Sequence, residues 1–220
     1  MKSRAVKKAV VLLSGGLDSA TVLYYAKSLG FNCQALIFDY GQRHRKEIAC
    51  AKRIAQASKS DYQVLKINFP WKGSALLDKK IKVPQKISSG IPVTYVPGRN
   101  IIFLSFALSL AEVIRARAIF IGAHAQDYSG YPDCRPEFFR SFVKMAKTGT
   151  AAKGKIQILA PLLNKHKAQI IKLGQKLGVP FGLTRSCYRA GSKPCGRCDS
   201  CYYRAKGFRE AGLSDPLLTG

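Results

Sequence analysis

The sequence predicts a doubly wound parallel α/β sheet with a small C-terminal extension. Three observations point there. Short apolar runs rich in β-branched residues alternate with helix-spaced segments through most of the chain, the first run ends in a glycine pair that opens a helix, and residues 183–220 hold four cysteines but few apolar runs. Strands separated by helices are joined by right-handed crossovers, which makes the sheet parallel. The 220 residues, 47% of them hydrophobic, suffice for one core-bearing domain and exclude wholesale disorder. No apolar run reaches the ~20 residues that span a bilayer. The basic-then-apolar start reads as a strand rather than an export signal, so the expectation is a cytoplasmic protein without a membrane segment.

Element by element, residues 8–13 (KAVVLL) form a strand, 18–29 a helix closed by Gly30, 33–38 (CQALIF) a strand, 45–57 a helix and 62–67 a third strand. Residues 70–98, broken by prolines and glycines around a basic stretch, read as an irregular excursion or lid. Residues 100–115 form a long apolar helix, 118–121 (AIFI) a buried strand, 136–147 a helix, 156–159 a short strand and 165–177 an amphipathic helix ended by Gly178. The division is therefore 1–182 for the α/β domain and 183–220 for an extension that needs a staple to be ordered.

Charge is the unusual quantity: 37 Lys+Arg against 12 Asp+Glu gives +25. Such a surface attracts polyanions, although the lysines are scattered singly rather than in blocks. From Arg140 to Arg197 every charged residue is basic. The scarce acids are more informative, because Asp18, Asp39, Asp127, Asp133 and Asp199 all fall inside or beside motifs.

The first of these motifs is Ser14-Gly15-Gly16-Leu17-Asp18-Ser19, at the carboxyl end of the first strand, where open α/β folds bind ligands. Two glycines let successive N–H groups surround an anion, and the helix N-terminus adds partial positive charge. Ser14 and Ser19 add hydroxyls. Asp18 would repel a phosphate unless it caps the helix or shares a Mg²⁺ with the phosphate oxygens. Neither a Walker A loop nor G-x-G-x-x-G is present. SGGLDS resembles the SGGxDS loop of the ATP-pyrophosphatase (PP-loop) superfamily, which implies an adenine nucleotide alpha hydrolase-like, Rossmann-like fold. It also implies ATP consumed by attack on its α-phosphate.

At the other end, Cys187-x7-Cys195-x2-Cys198-x2-Cys201 places four thiols within reach of one ion. Four thiolates fill a tetrahedral Zn²⁺ and leave no position for water, so the site is structural; an iron–sulfur cluster is the competing reading, since C-x2-C-x2-C has ferredoxin-like spacing. Cys33 and Cys50 lie on a strand and a helix and read as core residues.

Between them, DYSGYPDCR at 127–135 gathers two acids, two tyrosines, a thiol and an arginine in one loop. Tyrosines stack on a planar heterocycle, an Asp accepts from paired N–H donors, and an Arg pairs with a carboxylate. SGGLDS, FDYGQRH (38–44), YVPGRN (95–100), DYSGYPDCR, PLLNKHK (161–167), SCY (186–188) and CGRCDSC (195–201) occur in that order. Together they resemble the 7-cyano-7-deazaguanine synthase (QueC) family over essentially the whole chain.

That resemblance implies a ligase that turns 7-carboxy-7-deazaguanine and ammonia into a nitrile with ATP, on the way to queuosine. By position, ATP falls to Leu13, Ser14, Gly15, Gly16, Leu17, Asp18, Ser19, Ala20, Thr21, Val22 and Leu23, and one Zn²⁺ to Cys187, Cys195, Cys198 and Cys201. Asp127, Tyr131, Asp133 and Arg135 become candidates for the deazapurine or its carboxylate, Arg99 and Lys165 for developing phosphate charge, and His44 and His124 for protons from ammonium. Mg²⁺ accompanies ATP, free ammonium is the nitrogen source in the absence of a glutaminase segment, and a homodimer is the family's form. Leu17, Gly98 and Arg185 depart from the family pattern. Nucleic acid is not required. A tRNA-modifying PP-loop enzyme would explain +25 better but needs an RNA-gripping domain or a catalytic cysteine pair. A zinc-ribbon nucleic-acid binder would leave SGGLDS and DYSGYPDCR without a purpose.

Overall fold

A computed structural model describes residues 7–84, 90–124, 130–189, 191 and 193–218. Five strands, β1 (Lys7–Leu12), β2 (Phe31–Asp39), β3 (Asp61–Lys66), β4 (Ala118–Phe120) and β5 (Gln157–Leu159), pair in parallel in the order β3-β2-β1-β4-β5. Ala9 faces both Cys33 and Ala118, and Val11 both Ala35 and Phe120, so β1 is the centre of the sheet. Covered on both faces, it reads as an unbroken apolar run rather than an alternation.

Alternate residues of β1 still serve different layers. Ala9, Val11 and Leu13 enter a core shared with α1 (Leu17–Ser28), α2 (Lys46–Ala57) and α5 (Lys167–Lys176). Val10 and Leu12 point to the opposite core, built with α3 (Arg99–Val113) and α4 (Pro136–Gly149). The chain winds outward from β1 to β3, then returns across the sheet to β4. This reversal leaves a crevice at the carboxyl ends of β1 and β4, the usual ligand position in such folds.

The segment 70–98 is irregular, as expected, but its described residues do not stand away from the body. Ala75 and Val83 pack against Cys187, Cys198 and Cys201, while Leu76 joins the α3/α4 core. The C-terminal extension holds α6 (Asp199–Ala211), which the sequence reading did not anticipate, and its Phe208 enters the first core. Arg204 ties it down: Nε and Nη2 donate to the two Asp215 carboxylate oxygens at 2.6 and 2.8 Å, and Nη1 donates to Thr184 Oγ1 at 2.7 Å. Among the described residues no helix is long and apolar enough to cross a membrane.

Close packing of α5 on α1 depends on Gly174, where a methyl group would come within 2.5 Å of Phe181 Cζ and 2.9 Å of Thr21 Oγ1. Gly174→Ala is expected to cost about 1–3 kcal/mol through overpacking. Calorimetry should show this as a Tm several degrees lower; an unchanged or higher Tm would mean that this seam has room the structure does not give it.

Candidate active site and metal centre

The SGGLDS turn leaves β1 at the crevice and is braced by its own hydroxyls. Ser19 Oγ donates to the Gly16 carbonyl at 3.1 Å and lies 3.0 Å from Ser14 Oγ, and the backbone N–H of Ser14 and of Gly16 donate to Ser19 Oγ and Ser14 Oγ. Gly15 has φ +84°, and a methyl group on it would lie 2.2 Å from the Glu47 carbonyl oxygen, so only glycine fits between the turn and α2. Gly16 is the N-cap of α1, and no side chain caps that helix. The first-turn N–H groups thus remain for an anion at the positive end of the helix.

Asp18 caps nothing; it binds Lys167. Lys167 Nζ donates to both Asp18 carboxylate oxygens at 2.8 and 2.9 Å and lies 3.0 Å from His124 Nε2, bridging residues 149 apart in the chain. His124 Nε2 also lies 3.5 Å from Asp18 Oδ2. Burial alone would raise the Asp18 carboxyl. The charges of Lys167 and His124 and their hydrogen bonds outweigh it and hold the group well below the usual carboxylate range. Lys167 reaches this position because α6 has Gly207 where a methyl group would fall 2.4 Å from the Lys167 Cγ.

Around this junction lies a cavity of about 270 Å³. Its walls include Leu13, Ser14, Gly16, Leu17, Asp18, Ser19, Arg99, Tyr131, Tyr40, Asn100, His124 and Tyr188. Burial pushes the Tyr40 hydroxyl up to about 12, with Arg99, which donates to it at 3.4 Å, pulling the other way. Burial also works against the Arg99 charge, but Tyr40, Tyr131 and Asp133 nearby outweigh it and raise its pKa. Thr94 Oγ1 and Tyr131 Oη are 2.9 Å apart. An anion-binding turn, a half-buried arginine and three tyrosines therefore face one space. Such a space suits an anion beside a flat ring.

The remaining sequence candidates are placed differently. Ala20, Thr21, Val22 and Leu23 are buried in α1. Asp133 is buried behind the wall, where its Oδ2 accepts from the Asn100 N–H at 2.9 Å and its carbonyl from Asn100 Nδ2 at 3.1 Å. That contact anchors the loop to the first turn of α3. Arg135 is exposed at the N-cap of α4, Lys165 is half-buried, and neither is among the residues lining the cavity. Asp127 lies outside the described residues. His44 is bound by Glu47 at 3.0 Å, with Gln42 Nε2 donating to the other Glu47 oxygen at 3.0 Å.

Lys167, Tyr40 and Tyr188 were not singled out from sequence. For Lys167 a signal existed: it falls in register with the buried Ile170, Ile171 and Gly174 on α5. A lysine on the apolar stripe of a helix needs a charged partner.

Cys187, Cys195, Cys198 and Cys201 bring their four sulfurs within 4.8 Å of one another. A tetrahedral site with Zn–S near 2.3 Å has sulfur–sulfur edges of ~3.8 Å, and Cys195 and Cys201 are 3.9 Å apart. The N–H groups of Arg189 and Cys195 donate to Cys187 Sγ at 3.4 Å. Hydrogen bonds from the Cys198 and Cys201 thiols and these N–H groups drive the Cys187 thiol strongly down, and the same crowding drives Cys201 up. All four can ionise together only around a cation, so the donor set fits a closed, four-sulfur metal site. Tyr188, Ser186 and Ser200, beside these cysteines, line the cavity.

The Asp18–Lys167 junction makes a pH-dependent prediction. In the native protein the depressed Asp18 pKa contributes stability that is complete above the ordinary carboxylate value near 3.9 and is lost only below it. In Lys167→Met the buried carboxylate has lost its counter-charge, and its pKa rises. The Tm gap between native and Lys167→Met protein should therefore narrow as the pH falls from 7 to about 5, while the double variant Asp18→Asn/Lys167→Met shows no such narrowing. A gap independent of pH would contradict the ion pair.

Comparison with known proteins agrees with this architecture. A family model described as "Queuosine biosynthesis protein QueC" matches residues 8–212. Proteins named 7-cyano-7-deazaguanine synthase from Stutzerimonas stutzeri A1501 and Pseudomonas aeruginosa LESB58 are 54% and 55% identical over 218 residues, covering 96% of this chain and 97% of each relative. Among solved structures, a 4-thiouridine synthetase–RNA complex with bound ATP superposes with TM-score 0.52 at 17% identity, over 97% of this chain and 52% of that one. NMN synthetase from Francisella tularensis gives 0.50 at 17% identity, over 98% and 82%. At that identity these two establish the fold alone, whereas the family model and the curated relatives span nearly the whole chain: it belongs to the QueC family of queuosine biosynthesis proteins.

Proposed function

We propose that the chain is an ATP-dependent ligase that converts 7-carboxy-7-deazaguanine and ammonia into 7-cyano-7-deazaguanine. The carrying observation is the shared cavity. The uncapped turn before α1, Arg99 and Asp18 face the same space as Tyr40, Tyr131 and Tyr188. The relatives' names supply the substrate class, and the cavity's residues suit it.

A carboxylate cannot exchange oxygen for nitrogen in water at a useful rate, because its oxygen is a poor leaving group. Attack of that oxygen on the α-phosphorus of ATP releases pyrophosphate and forms an acyl adenylate. Ammonia then displaces AMP to give the amide. A second ATP activates the amide oxygen in the same way, and loss of AMP and a proton leaves the nitrile. For these steps the first-turn N–H groups of α1 bind phosphate oxygens, and Arg99 faces the charge that develops on the departing pyrophosphate. Mg²⁺ entering with ATP supplies further neutralisation and has Asp18 as the carboxylate at the loop. Tyr131 and Tyr188 wall the heterocycle and exclude water from the adenylate.

In this reading Cys187, Cys195, Cys198 and Cys201 hold one structural Zn²⁺, which stiffens residues 183–220 as an extension against the nucleotide domain of residues 1–182. The enzyme is cytoplasmic and works as a homodimer, for which α3 offers exposed Ile101, Phe106 and Val113.

Mass spectrometry of the zinc-loaded protein with 7-carboxy-7-deazaguanine, Mg-ATP and ammonium should reveal the nitrile. Asp18→Ala should lower its rate by about 10²-fold or more, as expected for a group that holds α5 and His124 against the phosphate loop. ATP consumption appearing only on addition of tRNA, with no nitrile, would instead favour an RNA-modifying enzyme.

A further inference from the structure

Beside the main cavity lies a smaller chamber of about 90 Å³. Its own walls come from the start of α6 and from α5: Asp199, Tyr203, Arg204 and Lys167, while Tyr131, Tyr188 and Ser200 are shared with the main cavity. Asp199, the first residue of α6, is only 8% exposed. Its Oδ1 is shielded from solvent and has no hydrogen-bond partner among the described residues. A buried carboxylate oxygen left in this state is one whose partner arrives with a ligand.

Charge accounting says what kind of ligand. Lys167 is held by Asp18 through two hydrogen bonds, and Arg204 by Asp215 through two more. Both cations of the chamber are thereby paired, and Asp199 has no cationic side chain as partner among the described residues. Three tyrosines complete the walls, and aromatic rings favour cations. The chamber has a third of the volume of the main cavity, room for a few water-sized species. Leu17, Asp18 and His124 border both spaces, so a small ion held at Asp199 is next to the place where the acid is activated.

We propose that this chamber is the ammonium subsite, with Asp199 as the residue that binds the cation. The inference rests on the ligase reading and extends it: it names where the nitrogen donor waits and why the carboxylate after Cys198 is there. The four cysteines fix the backbone on either side of Asp199, so the metal centre acts as the frame of this subsite.

Steady-state kinetics of zinc-loaded Asp199→Asn, with ammonium varied at saturating Mg-ATP and 7-carboxy-7-deazaguanine, test it directly. The KM for ammonium should rise about tenfold or more, as for loss of one charge-assisted hydrogen bond. The KM values for ATP and the acid, the zinc content, and kcat at saturating ammonium should stay within about twofold to threefold of the native enzyme. An unchanged KM for ammonium with a reduced kcat, or a parallel rise in all three KM values, would overturn the assignment and leave Asp199 a purely structural residue. A second measurement needs neither the variant nor turnover. Crystals of the native zinc-loaded protein soaked in thallous acetate should show an anomalous peak at Asp199 Oδ1 that ammonium displaces, and no peak there would refute the subsite. Failure of the native enzyme to make nitrile would count against the ligase reading, whereas the thallium result reports on the chamber alone.

Discussion

The ammonium group of Lys167, held between Asp18 and His124, is the contact on which the arrangement of the site depends. Asp18 belongs to the turn after β1, His124 to the segment after β4 and Lys167 to α5, so this junction locks the two sides of the crevice together where the strand order reverses. It also resolves a conflict inherent in the loop. A carboxylate in the first turn of an anion-binding helix would oppose the ligand unless a cation offsets it. Lys167 is that cation, and its stem passes over α6 only because residue 207 is glycine. The site therefore requires α6, and through α6 it requires the cysteine centre.

That dependence gives the C-terminal extension a function beyond closing the chain. Residues 183–220 offer few apolar side chains, yet Arg204 is clasped by Asp215 and Thr184, Phe208 enters the main core, and Ser186, Tyr188 and Ser200 face the cavity. Four thiols that fit a closed tetrahedral metal site hold the start of α6 against Ala75 and Val83 of the irregular excursion. A metal-stapled segment of this kind can be thin on hydrophobic core because ion binding supplies its folding free energy. A metal held there would fix side chains at the rim of the site by coordination geometry rather than by loose packing.

Much of this was legible in the sequence, and the exceptions have physical causes. The parallel sheet follows from the β-branched runs, and the strands run a residue or two beyond or short of the apolar patterns because pairing with β1, not hydropathy, sets their ends: β2 begins at Phe31, opposite Lys7. α6 escaped notice because its buried positions are Asp199, Cys201, Arg204, Gly207 and Phe208, a stripe at helical spacing in which Phe208 alone is a large apolar residue. Lys165 drew attention as a basic residue of PLLNKHK, but α5 begins only at Lys167, where the His166 N–H donates to Gln169 Oε1 and starts the helix. Asp133 looked like a ligand contact because it is an acid in a polar loop. In the folded chain it satisfies the N-terminus of α3, a long-range cap that no local pattern announces. Gly98, a departure from the family pattern, adopts φ +66° before α3, which glycine accepts at no steric cost.

In the proposed reaction the cavity brings an oxygen of the acid, first of the carboxylate and then of the amide, against the α-phosphorus of ATP. The most direct measurement uses 7-carboxy-7-deazaguanine labelled with ¹⁸O in both carboxylate oxygens and follows the label by mass spectrometry and ³¹P NMR. If the account is right, each label leaves in the phosphate of an AMP, one at the amide stage and one at the nitrile stage. Label found in inorganic phosphate, or released to water without passing through a nucleotide, would contradict it.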